Sequence, residues 1–379
     1  MKITMKKQFI YIAVLLALGL TSCNRYYNPG LNIKTVSEDT LNVGSEFEVL
    51  TRFLHNSGEY INSKGIPNMV SAEDVNDNLS SYFVLDIRSH DEYVDGHING
   101  AVNVQASEII DYLDKNIAAG EYDKLVIACH SGQTASYVAS VLRLIGYDNV
   151  YAMKYGMGAW NRTLDKWSSN VSNKYASQLE TKVNSKAKST PYPVLKTGEQ
   201  CGAEVLAARA KTVLNTPFHK IKVNADRAFS DSTFYIVNYW PEDKYLKGHI
   251  PGAVQYTPKK DLTIDAVLNT LPSDKKILVY CFTGQNAAFV VAYLRLLGYN
   301  AYTLGFGANA FMHDILTSRE NWHGFKAAEK LNDFDLIKGE NPTDKKFEEA
   351  VAKSADSGAA KPKKKVKKRK KKEVEGGCG

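Results

Sequence analysis

The chain has 379 residues, 44% of them hydrophobic and 23% charged, with a formal net charge of +7. That excess belongs to the ends: Lys2, Lys6 and Lys7 lie at the start, and residues 361–372 hold ten Lys or Arg ahead of Glu373 and Glu375. What lies between is mildly acidic, about −4. Among the five cysteines no CxxC or Cys/His spacing suggests zinc, and beyond the first residues no apolar run is long enough to span a bilayer.

Residues 1–22 read as an export signal, with a positive start, an apolar core over 9–20 and a processing site at Leu20-Thr21-Ser22-Cys23. The closing tetrad resembles a bacterial lipobox, which implies cleavage before Cys23 and lipidation of its sulfur. A plain secretory signal is the other reading. Firm anchoring takes more than one acyl chain. The non-acidic Asn24 points, by resemblance to lipoprotein sorting patterns, to the outer membrane, with the protein facing the periplasm. Residues 23–65 follow as a polar tether and an N-terminal helix over 45–55, capped by Ser45.

Residues 66–168 form a first domain. Ser71-Ala72-Glu73-Asp74 reads as a helix start, followed by strands over 82–87 and 101–104 and a helix over 109–116. Next come an apolar strand ending at Ala128, a helix carrying Ala135, Val138, Ala139 and Leu142, and a strand over 150–153. Such alternation predicts an α/β domain, a parallel sheet covered by helices on both faces. Residues 169–204 are a linker rich in Ser, Asn, Lys and Thr, and 205–330 are a second domain in the same order. Residues 331–379 are a polar segment and a disordered Lys-rich tail, which cannot bury apolar area. An exported chain does not meet nucleic acid, so anionic lipid is the better partner for the tail, at roughly 1 kcal/mol per cation near a charged surface. A solvated tail with no fixed partner is the alternative.

The two domains are one domain duplicated. The offset of 152 residues from Cys129 to Cys281 also carries Gly96-His97-Ile98 onto Gly248-His249-Ile250 and Arg143-Leu144 onto Arg295-Leu296. Each cysteine opens a loop between strand and helix: Cys129-His130-Ser131-Gly132-Gln133-Thr134 and Cys281-Phe282-Thr283-Gly284-Gln285-Asn286. In a parallel sheet, ligands bind beyond the carboxyl ends of the strands. There, loop N–H groups and the helix N-terminus stabilise an anion and are expected to lower the thiol pKa. Gly132 and Gly284 let the backbone curl.

These loops, with Asp86-Ile87-Arg88, Glu92-Tyr93, the two Gly-His-Ile turns, and Gly156 with Trp160, resemble the tandem rhodaneses, two-domain sulfurtransferases. The resemblance covers residues 66–168 and 215–325. It implies a sulfurtransferase in which Cys129 or Cys281 takes sulfane sulfur from thiosulfate, or the thiol sulfur of a mercaptopyruvate-type donor, and passes it to cyanide, a thiol or a protein. No cofactor and no metal are implied. It also implies a substrate-binding set: Asp86, Arg88, His130, Ser131, Gly132, Gln133 and Thr134 in the first copy, and Phe282, Thr283, Gly284, Gln285 and Asn286 in the second. The family's histidines, here His97 and His249, are usually structural. Asn238 and Trp240 replace Asp86 and Arg88 in the second copy, which is expected to strip charge from its mouth and leave Cys129 as the working nucleophile. Arg88 is expected to place positive charge at the first mouth. Rhodanese-like phosphatases carry a loop ending in Arg, a guanidinium clamp for phosphate; neither loop here has one. A non-catalytic scaffold is the competing reading. Cys201 and Cys378 remain, either as a disulfide or with Cys378 as a mobile thiol that relays sulfur from Cys129.

Overall fold

The computed structural model describes residues 44–341 apart from 64, 65, 67 and 119. The signal, Cys23, the Lys-rich run and Cys378 therefore lie outside the described residues. Helix α1 (Glu46–Asn56) begins at Ser45, whose Oγ accepts from Glu48 N while Glu48 Oε2 accepts from Ser45 N, a reciprocal cap. The first copy then runs β1 (Met69–Val70), α2 (Ala72–Asp77), β2 (Tyr82–Asp86), α3 (His90–Asp95), β3 (Val102–Asn103), α4 (Ile109–Asn116), β4 (Lys124–Ala128), α5 (Gln133–Leu144), β5 (Val150–Met153) and α6 (Met157–Trp160). After α7 (Gly202–Leu214), the second copy runs β6 (Lys222–Val223), α8 (Ala225–Ser230), β7 (Phe234–Asn238), α9 (Glu242–Tyr245), β8 (Val254–Gln255), β9 (Lys276–Tyr280), α10 (Gln285–Leu296), β10 (Ala301–Leu304) and α11 (Asn309–Ser318). A short α12 (Ala327–Lys330) follows.

Each copy builds a five-stranded parallel sheet, in the orders β1-β5-β4-β2-β3 and β6-β10-β9-β7-β8. The central strands read as unbroken apolar runs, Leu125–Ala128 and Ile277–Tyr280, because helices cover both faces. Register repeats at the duplication offset: Tyr82 pairs with Lys124, and Phe234 with Lys276. The order of elements departs in one place. Where the first copy has α4, the second has only a short 3-10 turn at Leu268–Thr270. There Asp261 accepts from Thr257 N through its side chain and from Val267 N through its carbonyl, local bonds that compete with a helix.

The two copies pack through α5 and α10. Both helices are buried nearly all round, one face against their own sheet and the other against the partner copy, which explains their small residues. Ser140 Oγ donates to Phe289 O across this seam at 3.0 Å.

The segments after each copy are not loose. In the linker, Glu180 pairs with His249 of the second copy and Leu195 is buried. Tyr192 stacks on Phe47 of α1 with ring centroids 4.5 Å apart. Conversely, Ile337, beyond the second copy, pairs with His97 of the first by two backbone bonds of 2.9 Å. Trp160 Nε1 donates to Asp335 O, and the Phe334 ring lies 5.1 Å from that of Trp160. Each trailing segment thus clasps the other copy.

Candidate active site

Cys129 directly follows β4 and Cys281 directly follows β9, so both sit at carboxyl ends of central strands. Each loop turns back at a glycine in the left-handed region, Gly132 at φ 80° and Gly284 at φ 74°, where a side chain would be strained. The turn aims helix N–H groups at sulfur: Ala135 N lies 3.2 Å from Cys129 Sγ, and Ala287 N lies 3.3 Å from Cys281 Sγ. Backbone N–H groups of Ser131 and Gly132 also favour the Cys129 thiolate, and those of Thr283, Gly284 and Asn286 the Cys281 thiolate. The cradle is therefore present twice.

Its net effect on the resting thiols differs from the expected one. Both cysteines are buried, at 2% exposure each. Burial pushes each thiol above its ordinary value, outweighing the N–H groups that pull it down.

A second turn supports each loop from behind. Met157 N donates to Cys129 O at 2.7 Å and Gly158 N to His130 O at 3.2 Å. In the second copy, Ala308 N donates to Cys281 O at 2.9 Å, and Asn309 Nδ2 to Phe282 O at 2.8 Å. Gly156 and Gly307 pack so closely that a Cβ on either would run into the carbonyl of Cys129 or Cys281.

Asp86 and Arg88 are not at the mouth. They are 1% and 3% exposed and bound to one another: Arg88 Nη2 reaches Asp86 Oδ2 at 2.6 Å, and Nε reaches Oδ1 at 3.0 Å. Arg88 Nη2 also donates to Gly96 O at 2.7 Å, which ties β2 to the Gly-His-Ile turn. The guanidinium is consumed inside the fold, so the expectation that it meets substrate is corrected.

The second copy explains the same position differently. Tyr280 stands where Ala128 stands in the first; its hydroxyl accepts from Asn238 Nδ2 at 2.7 Å and from Ile250 N at 3.1 Å. Trp240, which the 152-residue offset places at the position of Arg88, is buried and stacks on Phe282 with centroids 4.5 Å apart. Asn238 and Trp240 thus exchange a buried ion pair for a neutral, aromatic core, rather than removing charge from the mouth.

The mouths differ at the second loop residue. The His130 side chain is 41% exposed, and its Nε2 lies 2.6 Å from Glu92 Oε1, while Ser89 Oγ donates to the other Glu92 oxygen at 2.6 Å. Burial pushes the Glu92 carboxyl up, but hydrogen bonds from Ser89 and His130 prevail and hold it below the usual value. Phe282 instead sits among Trp240, Trp322 and His323. Ser131 and Thr134 are half-buried beside Cys129. Thr283 is buried and its Oγ1 accepts from Gln285 Nε2. Asn286 lines a small depression with Ile66, Tyr239, Pro258, Lys259, Phe289 and Val290. Gln133 and Gln285 are buried, and the carbonyl oxygen of each side chain reaches the other copy, while Gln285 Nε2 stays on Thr283 of its own loop.

The family of the Rhodanese-like domain matches residues 71–163 and 225–314. The chain is 33% identical over 81 residues to the thiosulfate sulfurtransferase GlpE of Pseudomonas fluorescens, an alignment covering 21% of this chain and 71% of that one. It belongs to the rhodanese-like family. It is also 28% identical over 131 residues to the putative sulfur carrier protein YrkF of Bacillus subtilis, covering 34% of this chain and 69% of that one. Among solved structures, the thiosulfate sulfurtransferase from Pseudomonas aeruginosa aligns at 14% identity over 73% of this chain and 46% of that one, with a TM-score of 0.25.

Within these rhodanese-like copies, the duplicated histidines face inward. His97 Nδ1 lies 2.9 Å from Tyr93 O and His249 Nδ1 lies 2.8 Å from Tyr245 O, each ring stacked on that tyrosine. The supporting residues Tyr155, Phe306 and Asn309 were not singled out by sequence reasoning. The signal that could have found them was the match of Gly156 with Gly307, since a glycine repeated at a strand end marks close backbone approach. Cys201 is buried and disulfide-bonded; Cys378, considered above as its partner, lies outside the described residues.

Proposed function

We propose that this rhodanese-like chain moves sulfane sulfur from a small anionic donor such as thiosulfate to a thiol, cyanide or protein acceptor, through a persulfide on Cys129. The observation that carries the reading is the cradle of N–H groups aimed at Sγ, with Ala135 N at 3.2 Å. In the first step the Cys129 thiolate attacks the outer sulfur of thiosulfate, the donor S–S bond breaks, and sulfite leaves with the bonding pair. Cys129 then bears a terminal persulfide anion, which the N–H groups of Ser131, Gly132 and Ala135 are placed to stabilise. In the second step the acceptor anion attacks that outer sulfur and the thiolate returns. Cys129 is favoured over Cys281 because its neighbour His130 leaves a polar, accessible mouth, whereas Phe282 lies within an aromatic cluster.

The leader and Cys23 support a lipid-anchored protein of the cell envelope, held at the outer membrane and facing the periplasm. The basic tail supports a further contact with anionic lipid.

The test is intact mass after incubation with thiosulfate. The expected result is a gain of one sulfur atom that a reductant removes, lost in Cys129→Ser and retained in Cys281→Ser, because a hydroxyl cannot form the persulfide. Loss in Cys281→Ser alone would reverse the assignment. The burial of both cysteines favours a second reading, a non-catalytic binding module; failure to load from several donors would select it.

A further inference from the structure

Gln133 and Gln285 occupy the same position in the two loops, the first residue of α5 and of α10. Both are almost wholly buried, at 1% and 0% exposure, and both reach across the seam between the copies. Gln285 Oε1 accepts from Tyr155 N of the first copy at 2.9 Å. Gln133 Oε1 accepts from Phe306 N of the second copy at 3.0 Å, and its Nε2 donates to Leu304 O at 3.3 Å.

The receiving turns are strained and closely tied to sulfur. Tyr155 and Phe306 are non-glycine residues held in the left-handed region, at φ 63° and 60°, and each precedes a glycine also at positive φ. A backbone in that region persists only where its surroundings over-determine it. These are the turns that support the cysteine loops, through Met157 N on Cys129 O and Ala308 N on Cys281 O. A short path therefore runs from the loop of Cys281, through Gln285, to the Tyr155–Met157 turn and Cys129. Its mirror runs from the loop of Cys129, through Gln133, to the Phe306–Ala308 turn and Cys281. Gly132 and Gly284 complete the arrangement, since a Cβ on either would strike the glutamine arriving from the other copy.

We propose that Gln133 and Gln285 are reciprocal positioning residues: each belongs to one cysteine loop and sets the geometry, and so the reactivity, of the other. Sequence duplication then yields two interdependent nucleophile sites, not two independent ones. The consequence for turnover rests on the sulfur-transfer reading, but the positioning does not.

The experiment measures the alkylation rate of each cysteine separately, by peptide mass after timed exposure of the folded protein to iodoacetamide. Gln133→Met keeps chain length and approximate volume but removes both hydrogen-bonding groups. It is expected to change the Cys281 rate fivefold or more while Cys129 stays within twofold. Gln285→Met is expected to change the Cys129 rate fivefold or more, and by a larger factor than Cys281. A thermal melt on each variant separates repositioning from unfolding, since global opening accelerates both cysteines together. An effect confined to the cysteine of the same loop, an equal effect on both, or no effect overturns the proposal. Because alkylation involves no sulfur transfer, failure of the wild-type chain to load sulfur, together with the crossed pattern in the two variants, would refute the enzyme reading and uphold the coupling.

Discussion

Arg88→Ala removes the guanidinium from a buried ion pair and leaves the Asp86 carboxylate enclosed at 1% exposure. Removing one partner of a buried pair costs about 3–5 kcal/mol, because the surviving charge is uncompensated. Gly96 O also loses the donor that reaches it at 2.7 Å. For a domain of 150–250 residues each kcal/mol moves the midpoint by about 2–4 °C, so the melting temperature is expected to fall by roughly 6–20 °C. The second copy supplies the control, since it holds the same site with Asn238, Trp240 and Tyr280. Ala128→Tyr alone overpacks a fully buried position, at about 1–3 kcal/mol. Combined with Asp86→Asn and Arg88→Trp, it is expected to recover most of the loss. Urea unfolding followed by tryptophan fluorescence, with thiosulfate kinetics in parallel, reads both quantities. A loss under about 1 kcal/mol, the range of exposed salt bridges, would refute the reasoning. A raised KM for thiosulfate at unchanged stability would do the same, and would return Arg88 to the mouth.

Both cysteine thiols are raised by burial, so the stability gained by keeping them neutral is present below the unfolded value of about 8.5 and is lost as pH climbs through the folded values. The Cys129→Ser/Cys281→Ser variant should therefore lose less stability than wild type between about pH 8 and 10; parallel slopes in urea midpoints would contradict this. A chain ending at residue 330 should melt lower than one ending at 341, at about 1–3 kcal/mol for each buried group left unpaired. The groups concerned are the Trp160 indole N–H and the His97 backbone. Equal melting temperatures would show that the returning segment contributes nothing.

The sequence by itself determined what depends on local pattern. Strand–helix alternation, the capped starts at Ser45 and Ser71, and the cysteine loops with their glycines all encode interactions between residues a few positions apart. The 152-residue repeat added that whatever one copy builds, the other builds again. Tertiary structure decided the direction of polar side chains, because each depends on a partner distant in sequence or on space freed by another substitution. Arg88 could be read as facing substrate until Asp86 and the Gly96 carbonyl closed around it. Trp240 looked like lost charge until Tyr280 showed that three positions had changed as a set. Gln133 and Gln285 read as substrate-binding residues of their own loops, yet Gln133 bonds residues 171 and 173 positions away, and Gln285 Oε1 bonds one 130 positions away. No local periodicity records such pairings; they exist only once α5 and α10 have packed and left buried amides that require a hydrogen-bond partner.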